Sequence, residues 1–122
     1  MKIKSLLLMF MLLAICSCAI PSGERAVRLE KGLPTMLTLG AGYCQYCKAM
    51  RPSINKLSAE YRGKVNVVYA DTKSNPEYAR RYRAEGVPFT VLLDKNERLL
   101  FSQLGYLSEA EMRQYIKRYF SK

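Results

Sequence analysis

The sequence contains no histidine and no tryptophan, and it has only four cysteines among 122 residues. Without histidine, the chain cannot form the Ser/His or Cys/His arrangements that activate a catalytic nucleophile. A structural zinc site takes four nitrogen or sulfur ligands, and two of the four cysteines lie near the N-terminus. We therefore expect neither a metal site nor a cofactor, which leaves the cysteines to carry any chemistry.

No hydrophobic run is long enough to cross a bilayer as a helix. The run Leu6–Cys16 has eleven residues, whereas a transmembrane helix needs about twenty. Lys2 and Lys4 precede this run, and the small residues Ser17 and Ala19 follow it. Positive, apolar and small residues in this order are typical of an export signal. We assign that signal to residues 1–19.

The sequence leaves two ways of processing this leader open. Ile15-Cys16-Ser17-Cys18 resembles the bacterial lipoprotein box, in which the cysteine that becomes N-terminal carries a lipid. The lipidated residue would be Cys18, and we favour this form. The alternative is simple secretion with cleavage after Ala19. Both place the mature domain outside the cytoplasm, in the bacterial periplasm or cell envelope, where disulfides persist.

Acidic residues are scarce beside basic ones. The chain has 20 Lys and Arg against 10 Asp and Glu, a formal net charge of +10. The basic residues spread from Arg25 to Lys122, with one cluster at Arg80, Arg81 and Arg83. No nucleic-acid motif accompanies them. We interpret them as solvated helix faces and expect no nucleic-acid partner.

The segment Gly42–Lys48, with the sequence GYCQYCK, has the clearest chemical meaning. An apolar strand, Pro34–Leu39, leads into it, and apolar spacing predicts a helix from about Gln45 to Tyr61. Cys44 then lies at the start of the helix, where free N–H groups and the helix dipole favour its thiolate. Cys47 lies one turn later, so the two sulfurs can form a reversible disulfide.

A purely structural disulfide is the alternative interpretation of this pair. A bond across two intervening residues closes so short a loop that it removes little entropy from the unfolded chain. Stability is therefore a poor reason for it. We predict that Cys44 is the attacking sulfur and Cys47 the resolving one, with Cys44–Cys47 as the redox-active disulfide.

The remaining chain has room for one domain, which we place at residues 33–122 after a tether and short helix in residues 20–32. The short helix is predicted over Glu24–Lys31. Further patterns predict strands, helices and a capping box (Ser108 with Glu111). The predicted elements are a strand over Val65–Ala70, a helix with Asn75 as N-cap, strands over Val87–Leu93 and Arg98–Ser102, and a last helix. This order predicts an α/β fold with a four-stranded mixed sheet and helices on both faces.

From about Leu33 to Phe120 the chain resembles the thioredoxin superfamily. Four features match in order and spacing: Tyr43-Cys44-x-x-Cys47-Lys48, Pro52, Gly86-Val87-Pro88 and Gly105. The resemblance implies the thioredoxin fold and a cis peptide bond before Pro88. It also implies that Tyr43, Val87 and Pro88 bind substrate, with the Val87 backbone pairing with an extended segment.

The sequence departs from the family pattern near the cysteines. Tyr43 replaces the usual tryptophan, and Gln45-Tyr46 replaces the usual Gly-Pro. Thr38 stands at the place of a buried acid, and a lysine often found on the following strand is replaced by Val67. A hydroxyl cannot act as a base near neutral pH. Proton transfer from Cys47 would then use water or the substrate.

These features predict a monomeric thiol–disulfide oxidoreductase that acts on protein disulfides, supplied by an unidentified electron donor or acceptor. We favour the reducing direction because the resemblance is to thioredoxin and not to the dedicated oxidases. The alternative is a membrane-tethered binding module that holds a partner protein or Cu(I) without turnover.

Overall fold

The computed structural model of the protein describes residues 26–121. The described elements are β1 (Thr35–Gly40), α1 (Gln45–Glu60), β2 (Asn66–Asp71), α2 (Pro76–Arg81), β3 (Phe89–Leu93), β4 (Leu99–Leu104) and α3 (Glu109–Phe120). None of these helices has the length and apolar character needed to cross a membrane. The predicted export signal, with Cys16 and Cys18, lies outside the described residues.

The four strands form one mixed sheet in the order β2-β1-β3-β4. β1 runs parallel to β2 and antiparallel to β3, and β4 pairs antiparallel with β3 at the edge. The predicted four-stranded mixed sheet is confirmed. Because β1 is an inner strand, α1 begins near the middle of the sheet, at the end where β1 terminates.

Helices cover both faces of the sheet, as predicted. α1 and α3 pack on the face that carries Met36, Val67 and Leu92. The short helix α2 covers the opposite face through Tyr78, Ala79 and Tyr82, the side chains predicted to point inward. The buried side chains of this second face are Leu37, Leu39, Ala70, Phe89, Val91 and Leu93. Each face therefore has its own apolar core.

The capping box at the start of α3 is confirmed. The Ser108 hydroxyl accepts a hydrogen bond from the Glu111 N–H at 3.2 Å, and the Glu111 carboxylate accepts one from the Ser108 N–H at 2.8 Å. The bonds from Ser108 hold the pKa of Glu111 below its usual value. Leu107 and Met112, which flank this cap, are both buried in the core.

The short helix predicted over Glu24–Lys31 is wrong for the residues that the structure describes, since 26–30 have no helical structure. Two asparagine side chains bind this segment instead. Asn66 accepts from the Glu30 N–H at 3.1 Å and donates to the Glu30 carbonyl at 2.9 Å. Asn75 accepts from the Val27 N–H at 3.3 Å. Backbone groups of Val27 and Glu30 are therefore bonded to asparagine side chains and not to a helix.

Asn75 is the N-cap residue of α2 with Pro76 at the first helical position, as predicted, but its side chain makes no capping hydrogen bond. Its amide also donates to the Asp71 carbonyl at 3.2 Å, and the residue is buried. Sequence alone could not separate these roles, because an asparagine before Pro76 suits either.

The hairpin of β3 and β4 is confirmed, but β4 runs from Leu99 to Leu104 and β3 begins at Phe89. The Asp94 carboxylate organises the turn by accepting the N–H groups of Asn96 and Arg98 at 2.8 and 2.9 Å. The pairing shifts between Leu92 and Leu93, which marks a β-bulge.

Candidate active site

Cys44 is the N-cap residue of α1, at the position the sequence predicts. Its backbone is extended, with φ −84° and ψ 110°, and its sulfur accepts a hydrogen bond from the Cys47 N–H at 3.1 Å. The first turn of α1 contains no acidic residue. The sulfur therefore accepts a bond from an N–H that has no partner within the helix, and it lies at the positive end of the helix dipole. Both interactions stabilise negative charge.

Cys44 and Cys47 are joined by a disulfide, with their Cα atoms 5.2 Å apart. The two sulfurs are not equally accessible. Cys44 keeps 8% of its surface exposed, whereas Cys47 is 0% exposed because its side chain points into the protein. A visiting group can therefore reach Cys44 and not Cys47.

The Val87–Pro88 peptide bond is cis, as the resemblance implies. Val87 packs against the cluster formed by Ala41 and the two cysteines. The carbonyl of Pro88 accepts a hydrogen bond from the Gly105 N–H at 2.8 Å. The loops before β3 and after β4 are thus tied together, and the first of them lies beside the disulfide.

Two threonines, and no acid, occupy the centre of the sheet behind this site. Thr38 on β1 pairs with Thr90 on β3, and their hydroxyl oxygens lie 3.1 Å apart. Both residues are buried. Each hydroxyl therefore has the other as its partner, and neither offers a base for Cys47.

We predict that Thr38→Val destabilises the fold by about 1–3 kcal/mol, because it leaves the Thr90 hydroxyl buried without its partner. The double variant Thr38→Val with Thr90→Val should cost much less, since both polar groups are then removed. Urea unfolding of the three variants gives the comparison. Costs that simply add, or slower disulfide exchange in the double variant, would contradict this account of the pair.

Tyr69 also lies at the site, and the sequence reasoning missed it. The register places Tyr69 opposite Thr38, whereas Val67 lies opposite Met36. The residue of β2 that faces the cysteines is therefore Tyr69, which corrects the emphasis on Val67. Tyr69 packs against the cysteine cluster, and the Arg51 guanidinium lies 4.6 Å from the centre of its ring.

Gly40 makes room for the Tyr69 ring. A Cβ atom built on Gly40 would overlap the hydroxyl group and the ring of Tyr69. A glycine at the end of an apolar strand is the sequence signal of such a close approach. The glycine indicates that another group lies close to the strand, but only the strand register identifies that group as Tyr69.

Exposed tyrosines directly precede both cysteines in the sequence, and a third exposed tyrosine lies beside one of them. Tyr43 is 85% exposed, and Tyr46 is also largely exposed. The ring of Tyr106, from the loop after β4, lies 6.4 Å from that of Tyr46. Amphipathic rings in this position can contact the backbone and the side chains of a bound polypeptide.

Known proteins resemble this chain in sequence. Residues 26–118 match the family described as Thioredoxin. The chain is 33% identical over 93 residues to the chloroplastic M-type thioredoxin of Spinacia oleracea, covering 76% of this chain and 51% of that protein. It is 31% identical over 88 residues to thioredoxin C-2 of Corynebacterium nephridii, covering 72% of this chain and 81% of that protein. The chain thus spans about half of the spinach protein but most of the bacterial one.

A solved structure agrees with these matches. The germline-specific thioredoxin Deadhead of Drosophila melanogaster superimposes with a TM-score of 0.65 at 26% identity, covering 72% of this chain and 82% of that one. The fold is therefore the thioredoxin fold. The homologues and the Cys44–Cys47 disulfide support thiol–disulfide oxidoreductase activity. By its sequence, its fold and the cysteine pair at the start of α1, the chain belongs to the thioredoxin family.

Proposed function

We propose that the protein reduces disulfides of other proteins outside the cytoplasm, with Cys44 as nucleophile and Cys47 as resolving cysteine. The observation that carries this proposal is the difference between the two sulfurs. Cys44 lies at the helix N-terminus within reach of a partner, and Cys47 is fully buried one turn behind it.

In the first step, the Cys44 thiolate attacks one sulfur of a substrate disulfide. A bond forms between Cys44 and that sulfur, and the substrate's other sulfur leaves as a thiolate that takes up a proton. The Cys47 N–H, 3.1 Å from the Cys44 sulfur in the disulfide form, suits the negative charge that Cys44 carries before the attack.

In the second step, Cys47 loses its proton and attacks the Cys44 sulfur. This releases the second substrate thiol and closes the Cys44–Cys47 disulfide. The substrate gains two electrons and two protons, and the cysteine pair loses them. A dithiol donor must then reduce the pair before another cycle. Water or the departing substrate thiolate would take the Cys47 proton, since Thr38 is hydrogen-bonded to Thr90.

The substrate would bind across Tyr43, Val87 and Pro88. Val87 packs beside the cysteine cluster, and Tyr43, which directly precedes Cys44, is almost fully exposed. An extended segment that pairs with the Val87 backbone would bring its own sulfur to Cys44. Recognition through backbone groups suits an enzyme whose substrates differ in sequence.

The location outside the cytoplasm is proposed from the leader, with a lipid on Cys18. When the full chain is expressed in bacteria with a labelled fatty acid, the label should enter the chain and be absent from Cys18→Ser. Unlabelled chain that has been cleaved after Ala19 would favour simple secretion.

The direction of exchange can be tested on the full chain with Cys16→Ser and Cys18→Ser, which we call the two-cysteine chain. Supplied with dithiothreitol, it should accelerate the reduction of insulin. After equilibration with glutathione buffers, its dithiol-to-disulfide ratio should give a potential closer to thioredoxin, about −270 mV, than to DsbA, about −120 mV. If the cysteine pair stays reduced in oxidising glutathione buffers, the protein is an oxidant of its substrates and not a reductant.

Thr38 in place of the buried acid favours a second candidate function, which is binding without turnover. A thioredoxin-fold binding module would fail to reduce insulin even with dithiothreitol. It would instead hold a partner, or stoichiometric Cu(I) on its two thiolates.

A further inference from the structure

The exposed large hydrophobic side chains of residues 26–121 are not scattered. They are Tyr43, Tyr46, Leu99, Leu100, Leu104 and Tyr106. Two of the tyrosines directly precede the cysteines in the sequence. The third, Tyr106, has its ring beside that of Tyr46. The three leucines all belong to β4. Exposed apolar side chains grouped in this way usually mark an interaction site.

Leu104 connects the two groups. Its side chain lies only 3.3 Å from a Cβ built on Gly86, which directly precedes Val87. The next residue, Gly105, is hydrogen-bonded to Pro88. Leu104 therefore adjoins the proposed substrate site, and Leu99 and Leu100 lie farther along the same strand.

β4 is an edge strand, since β3 is its only neighbour in the sheet formed by the described residues. Its sequence, LLFSQL, contains no charged residue. Exposed edge strands are normally protected by charges or proline, because their free N–H and C=O groups can pair with another chain. An uncharged edge with half-exposed leucines is therefore suited to receiving an extended segment.

The bulge places Leu99 on the same face as Leu104. Leu104 lies opposite Phe89, and Leu99 lies opposite Leu93. Directly opposed residues point to the same face of a sheet, and Phe89 and Leu93 both point to the α2 face. Leu104 lies five positions after Leu99, and because this offset is odd, the two side chains would lie on opposite faces without the bulge.

The six-residue helix α2 leaves these leucines uncovered. It packs on the inner strands through Tyr78 and Tyr82, while Leu99 and Leu104 stay 50% and 52% exposed. The exposed leucines of β4, which we call the β4 strip, are Leu99 and Leu104 on the α2 face and Leu100 at the bulge next to Leu99. The strip runs away from the disulfide for about 13 Å, because Leu99 and Leu104 lie opposite Leu93 and Phe89, which are four strand residues apart.

We propose that the β4 strip is a second substrate subsite that binds an apolar part of an extended polypeptide about five residues from its reacting cysteine. The inference rests on the proposed function and names its substrate class: chains that are still unfolded where they bind. The backbone edge of β4 would pair with such a segment, and the leucines would cover its apolar side chains.

A second copy of this chain fits the strip less well. Stable dimers bury about 800 Å² on each partner, and three half-exposed leucines in a single row offer much less. The strip also begins next to Val87, where the substrate lies, which favours a segment of that same substrate.

The test compares two ten-residue peptides, each linked through one cysteine to glutathione. One carries two leucines five and six residues from the cysteine, and the other carries serines there. Each peptide is made with these residues on the N-terminal side of the cysteine and again on the C-terminal side, since the strip does not define the direction in which a peptide binds. With the two-cysteine chain, the leucine peptide should show a KM about 5- to 10-fold lower in one order, with little change in kcat, because burying part of a leucine is worth about 1 kcal/mol.

The variant Leu99→Ser with Leu100→Ser should abolish this preference and leave the reduction of oxidised glutathione unchanged. Ala110→Ser, an exposed change on α3, is the matched control and should keep the preference. Equal KM values for the peptides, or a preference that survives in the double variant, would overturn the subsite. So would a dimer in sedimentation that the double variant dissociates.

Binding keeps this test separate from the proposed function. Peptides with serine in place of cysteine cannot react, so their affinity for the oxidised chain reports the strip alone. Tighter binding of the leucine peptide would support the subsite even without turnover, and equal binding would refute it. Failure to reduce oxidised glutathione would count against the proposed function only.

Discussion

Cys47→Ser in the two-cysteine chain is expected to accumulate a covalent complex with its substrate, and Cys44→Ser is expected to reduce exchange to the uncatalysed background. Of the two cysteines, only Cys44 keeps any exposed surface, so it makes the first bond to the substrate. Without Cys47, nothing inside the protein can break that bond. A serine hydroxyl at position 44 is not ionised near neutral pH and cannot replace the thiolate.

Non-reducing gels of the variants with a disulfide-containing protein would show the complex, and it should disappear on adding dithiothreitol. The reverse pattern, a complex with Cys44→Ser and none with Cys47→Ser, would exchange the roles of the two cysteines. Retained turnover in Cys44→Ser would remove the assignment altogether.

Gly40→Ala is expected to destabilise the protein by about 1–3 kcal/mol or more, as overpacking of a dense core does. The new methyl group would overlap the Tyr69 ring. The half-buried ring packs against the cysteine cluster and Arg51, so displacing it would disturb both contacts. Gly40 is itself buried in β1, so the backbone has little freedom to yield.

Gly42→Ala is a matched control, because a Cβ there meets nothing within 4 Å. It should change the free energy of unfolding by no more than about 0.5 kcal/mol. Tyr69→Ala removes the obstruction, so adding Gly40→Ala to it should cost little. Urea unfolding of these variants forms a double-mutant cycle. Additive costs would mean that the Tyr69 ring is not what Gly40 accommodates.

Sequence reasoning worked where a local pattern has one physical meaning. The helix after the cysteines was predicted from Gln45 to about Tyr61, and it spans Gln45–Glu60. Its first turn requires Cys44 at the cap, and the structure places it there. The Ser108 and Glu111 cap was also predictable, because both partners lie within four residues of each other.

The wrong predictions involve partners that are distant in the chain. Residues 26–30 are not helical because Asn66 and Asn75 bind their backbone. The Asn75 side chain binds Val27 and Asp71, so this N-cap residue makes no capping hydrogen bond of its own. The sequence comparison singled out Val67, and not Tyr69, as the β2 residue near the cysteines, because the register between β1 and β2 cannot be read from sequence alone.

The sequence by itself determined the chemistry of this protein: two thiols at fixed spacing at the start of a helix, with no histidine and no second pair of cysteines in the domain. That information is local, since one helical turn sets the distance between the thiols. Only the tertiary structure decided what surrounds them. The strand register brings Tyr69 and Gly40 together, and the bulge in β4 directs Leu99 to the same face as Leu104. These contacts depend on how the strands align, and a shift of one residue would reverse every side chain on a strand.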